Sequence, residues 1–196
     1  TAGAESLTVV GNAVLDGILG SVALEFLDVS GGTTLNGGSV TTTGGQTYQG
    51  PVTLGADTTL TGTTTTFADA VDGTTAGGES LDIQGDAIFG GAVGDGMVLQ
   101  FLRVSGDSEL GGNVRAAGDI DLQDADGVLI TADTELDGAN VTVASGISDG
   151  AGNFELTLDG SASVNVAGAV TTAHLTTQTA ATIDSATLSG NLEVGG

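Results

Sequence analysis

Apolar and polar residues alternate along this chain in runs of three to six, as in Leu7-Thr8-Val9, Leu27-Asp28-Val29, Val52-Thr53-Leu54 and Val141-Thr142-Val143. A period of two puts one set of side chains on each face of an extended segment, so each run predicts a short, half-buried strand. The runs stop at Gly, Asn or Asp, in corners such as "VVGN", "LNGG" and "LGAD". Those residues tolerate the left-handed backbone that a tight corner needs. Threonine and valine favour strands, and the abundant glycine disfavours helix. No segment shows helical spacing for more than a turn or two.

A longer self-match overlies this pattern. "SLTVVGNAVLDG" at Ser6 returns as "SLDIQGDAIFGG" at Ser80 and as "ELTLDGSASVNV" at Glu155, a period of about 74 residues. Leu7, Leu81 and Leu156 correspond, as do Leu27, Leu102 and Leu175, then Leu35, Leu110 and Ile183, then Val40, Val114 and Leu188. Aliphatic positions stay aliphatic while the residues between them vary. A repeat of this kind points to stacked units that share one continuous core. The chain therefore reads as a single all-β domain, 1–196, with copies at about 1–74, 75–149 and 150–196.

Composition selects among the all-β architectures. The chain has one Pro, one Tyr, five Phe and no Trp or Cys, beside 35 Gly. An immunoglobulin-like array needs an aromatic anchor, and a propeller needs an aromatic signature in each blade. A parallel β-helix, or β-solenoid, needs only short strands, Gly-rich corners and a slim aliphatic core. Division of each copy into three coils of about 25 residues predicts about eight coils and a rod of about 38 Å at the rung spacing of a sheet.

The run Thr33–Gly85, and above all its stretch "GGSVTTTGGQTYQGPVTLGADTTLTG", resembles the repeat region of large filamentous-haemagglutinin-like bacterial exoproteins. The likeness thins after about Gly118. It implies a right-handed parallel β-helix, secretion across an outer membrane, and adhesive or structural work outside the cell.

Charge narrows the function classes. Two Arg and no Lys stand against 25 acids, a net charge of −23. Phosphate recognition needs clustered Lys and Arg, so nucleic acid is not an expected partner. Docking on anionic lipid is disfavoured for the same reason, and no apolar run reaches the length of a membrane span. The absence of Cys removes thiol chemistry and disulfides. No signal peptide is visible, which reads as a mature or excised segment.

Little in the chain carries chemistry. His174 in "TTAHLTTQ" is the single histidine, and no nucleophile–base–acid set is legible around it. Asp119, Asp121, Asp124 and Asp126 in "GDIDLQDADGV" offer carboxylates near a glycine turn, the type of ligand that Ca2+ takes. A solvated acidic corner with diffuse cation association is the plainer reading. Asn140-Val141-Thr142 matches a glycosylation acceptor but also reads as a strand entered from a turn. A β-helix enzyme acting on polysaccharide needs basic residues beside its carboxylates, and two arginines supply few.

The expected function is therefore a non-enzymatic, extracellular structural or adhesive fibre element of a bacterial surface, with no cofactor. Its partners are further solenoid repeats, copies of itself or a neighbouring cell surface. The alternative is a subunit that stacks head to tail into a filament. Strand edges near Leu7, Val9, Leu188, Leu192 and Val194 carry alternating apolar residues with no Pro or Lys guard. Such edges pair with other chains.

Overall fold

In a computed structural model, which describes residues 5–194, the chain is all-β and winds into a parallel β-solenoid of about nine turns. Residues 1–4 and 195–196, at the outer limits of the first and third copies, lie outside the described residues. Each turn has three faces. The first turn supplies Leu7–Val9 to face one, Ala13–Leu15 to face two and Leu19–Leu24 to face three. The next coil returns to each face in parallel register: Leu7 pairs with Leu27, Ala13 with Thr33, and Leu19 with Val40.

The ladders run nearly the length of the molecule. On face one, Val9, Val29, Tyr48, Phe67, Phe89, Leu110 and Ile130 succeed one another rung by rung. On face three the succession is Leu19, Val40, Leu60, Ile83, Val104, Leu122, Val143, Val166 and Ile183. Face two carries Ala13, Thr33, Val52, Val71, Val93, Val114, Leu136, Leu158, Thr177 and Val194. These positions are almost all buried, while the residues between them face outward. Period-two alternation thus becomes a mainly aliphatic interior inside a polar shell.

The solenoid is as expected, but its coil is shorter. Partners on a ladder lie about 20 residues apart, as Leu7 to Leu27 and Val40 to Leu60, so the chain makes about nine turns instead of eight. At about 4.8 Å per rung the rod is roughly 43 Å long. The 74-residue period is consequently not a whole number of coils. Leu7 lies on face one, Leu81 on face three and Leu156 on face two, so each copy advances by about three and two-thirds coils. All three faces use the same inward–outward alternation, and a duplicated segment packs equally well whichever face it starts on.

The interior has one aromatic column and one polar one. Tyr48, Phe67 and Phe89 stack at ring-centroid distances of 5.3 and 5.2 Å and are nearly parallel. Beside them on face one run the inward residues Gln46, Thr65, Ala87 and Ser108. The Gln46 Nε2 donates to the Thr61 carbonyl at 3.0 Å, and its Oε1 accepts from the Tyr48 hydroxyl at 2.9 Å. Burial pushes the Tyr48 phenol well above the usual tyrosine range, so it remains a donor.

Candidate functional site

Polar groups gather at several places on the outer surface, and two of them hold aspartates of "GDIDLQDADGV". On face three, Gln100, Phe101, Arg103, Asp119 and Asp121 line a shallow groove. Arg103, Asp121 and their ladder neighbours point outward because the alternating Leu102, Val104, Ile120 and Leu122 fill the core. Arg103 Nε lies 3.8 Å from Asp121 Oδ2, and its Nη2 donates to Gln123 Oε1 at 3.3 Å. Asp119 accepts from the Asn140 side-chain amide at 2.7 Å, and Asn140 in turn accepts from the Ser163 hydroxyl. Asn140 therefore works as a rung-to-rung link, as the strand reading of its sequon expects.

The second place is the corner between faces three and one, where acids stack on successive coils. The Asp107 N–H donates to Asp86 Oδ1 at 3.1 Å, and the Asp126 N–H to Asp107 Oδ1 at 3.4 Å. Asp86, Asp107, Glu109 and Asp126 line an open groove there. Asp124 sits behind it, only 2% exposed, with Oδ1 accepting from the Ser108 hydroxyl at 3.1 Å and Oδ2 without a partner.

The structure thus divides the four aspartates of "GDIDLQDADGV". Asp119 and Asp121 belong to the outer surface of face three, Asp126 to the exposed corner, and Asp124 to the interior. Among the described residues, no three acidic or histidine side chains converge as a metal cage. The structure does not bring the four carboxylates together.

Other polar groups are tied into the scaffold. Arg115 lies 2.7 Å from Glu135 and 3.4 Å from Asp95, and its hydrogen bond to Glu135 raises the guanidinium further. Desolvation and the stacked Asp159 raise the Asp137 carboxyl. His174 is exposed, and its Nδ1 accepts from the Asn191 N–H at 3.1 Å. Glu79 was not singled out by the sequence. Its carboxylate accepts from the Thr74 hydroxyl and from the N–H groups of Thr74 and Thr75, closing an excursion between faces two and three. No local motif marks that role, because the turn exists only where two coils meet.

The expected edges divide by burial. Leu7, Val9 and Leu188 are half-buried against the core, whereas Leu192 and Val194 are 54% and 69% exposed. Val10, Val14, Ile18, Val22 and Phe26 near the start of the described chain are also exposed, and Val14 stands in register with Thr34 and Thr53 of later coils. No helix of the described residues is long and apolar enough to cross a membrane. No protein-family model, curated protein or solved structure matches this chain.

Proposed function

We propose that this chain is a non-enzymatic stiffening element of an extracellular fibre on a bacterial surface, built to carry length and adhesion. The observation that supports the reading most directly is the stack of parallel ladders over about nine turns, closed around a mainly aliphatic core. Each coil templates the next, so length is added without new design, and stability is a sum over neighbouring coils. The likeness of Thr33–Gly85 to filamentous-haemagglutinin-like repeats points the same way. So does the engagement of both arginines with acidic or amide neighbours, which leaves no free base beside paired carboxylates for polysaccharide cleavage. The net charge of −23 keeps such rods apart laterally.

Electron microscopy of the native material is the test. Unbranched fibres one solenoid wide, with a meridional repeat near 4.8 Å, are expected. Compact particles, or release of new sugar ends from acidic polysaccharides, would overturn the reading. In a second version, copies stack head to tail. Purified chain then grows filaments, and Leu192→Lys stops growth while leaving the β spectrum intact. A chain that stays monomeric at high concentration leaves the stalk-segment version alone.

A further inference from the structure

One corner of the solenoid departs from its neighbours. Between faces three and one, three residues suffice on three coils: 84–86 between Ile83 and Ala87, 105–107 between Val104 and Ser108, and 144–146 between Val143 and Ile147. Between Leu122 and Val128 the corner has five, 123–127. The extra length lets Asp124 fold inward, where it meets the Ser108 hydroxyl of the preceding coil.

That position is costly for a carboxylate. Oδ2 has no partner, and Ser108 alone bonds Oδ1. The titratable groups facing it are Asp107 and Asp86 on the two preceding corners, both of like charge. Asp126 in its own corner is exposed and bonded to Asp107, and the following corner, Ala144-Ser145-Gly146, has no ionisable side chain. The Arg103–Asp121 pair lies on the outer face of the strands leading in. No cation is thus placed to neutralise Asp124, and the two ways to relieve its charge are a proton or departure to solvent.

We propose that corner 123–127 is a proton-operated latch. With a proton on its carboxyl group, Asp124 stays inside and the corner is closed. When that proton leaves to water, the carboxylate swings out, and the corner opens over Ser108 and the face-one edge. Burial, opposed by the Ser108 hydrogen bond and reinforced by Asp107 and Asp86, raises this carboxyl to about 6. In the open corner Asp124 titrates as an ordinary aspartate. The preference for the closed form is therefore full below the usual aspartate range and is lost as pH rises through about 6. Fibre flexibility at this coil then follows ambient acidity.

The test uses the whole chain. Amide hydrogen exchange over 123–128, corrected for base catalysis, is measured from pH 4 to 8 alongside carbon-13 titration of the aspartate carboxyls. The opening equilibrium is expected to rise about tenfold per pH unit between about 4 and 6 and then level off, roughly a hundredfold in all. Asp124→Asn flattens the profile. Asp107→Asn, which leaves the buried group in place, keeps a profile of smaller span, so the proposal stays testable if the first variant folds poorly. An Asp124 titration in the ordinary range with a flat wild-type profile overturns it. So does closure of the corner at pH 7.5 by millimolar calcium at constant ionic strength, which would assign the site to a cation.

Discussion

Phe67→Ala probes the aromatic column where the solenoid has the most to lose. The Phe67 side chain is fully buried and lies between Tyr48 and Phe89, with ring centroids 5.3 and 5.2 Å away. Truncating a buried Phe costs about 3–5 kcal/mol in transfer energy and cavity. Each stacked pair adds about 0.5–1.5 kcal/mol beyond area. Two such pairs place the loss at about 4–8 kcal/mol. Phe67→Leu refills most of the space and should cost less than half as much. The loss is also local, because each coil touches only its neighbours. Urea unfolding followed by circular dichroism measures the total. Hydrogen exchange below the midpoint locates it, with protection falling first in Gln46–Tyr48 and Leu81–Phe89. A loss under about 2 kcal/mol, or protection falling evenly along 5–194, would show that the column does not carry this part of the core.

Three further outcomes are expected. Tyr48→Phe removes the hydroxyl that donates to Gln46 Oε1 and leaves a buried acceptor unpaired, so the urea midpoint should fall by the equivalent of about 1–3 kcal/mol with an unchanged slope. Gly85 has φ +145° at a corner, and a Cβ there would run into the Gly62 carbonyl; Gly85→Ala should therefore cost more than about 1 kcal/mol in thermal melts, whereas alanine at the unobstructed Gly17 should not. Hydrogen bonds from the Thr74 hydroxyl and the Thr75 N–H hold the Glu79 carboxyl below the usual glutamate range. Its contribution is therefore full above that range and lost as pH falls through the depressed value. Amide exchange over 74–79 should rise on acidification, and Glu79→Gln should raise it at neutral pH.

Much of the molecule is legible in the sequence alone. The alternation in Leu27-Asp28-Val29 or Val52-Thr53-Leu54 states which side chains turn inward, and the structure buries those residues. Inward or outward is a property of the strand itself, set by its period of two. The slim aliphatic interior followed from the shortage of aromatics. Coil length was not legible in the same way. A strand carries no mark of which face it occupies, and the three faces share one pattern, so Leu7, Leu81 and Leu156 match in sequence while lying on three different sides.

The candidate site divides along the same line. "GDIDLQDADGV" reads as four neighbouring carboxylates, yet the strand at Ile120–Leu122 sends Asp121 outward and the long corner after it turns Asp124 inward. That inward turn is held by Ser108, 16 residues earlier on the preceding coil, whose hydroxyl donates to Asp124 Oδ1. The Glu79 turn likewise depends on contact with the next coil, where the Gly77 N–H donates to the Val98 carbonyl. Alternation is local and can be read along the chain. Stacking joins residues about 20 apart in every coil, so coil length, face and the fate of a corner carboxylate are settled only when the rungs meet.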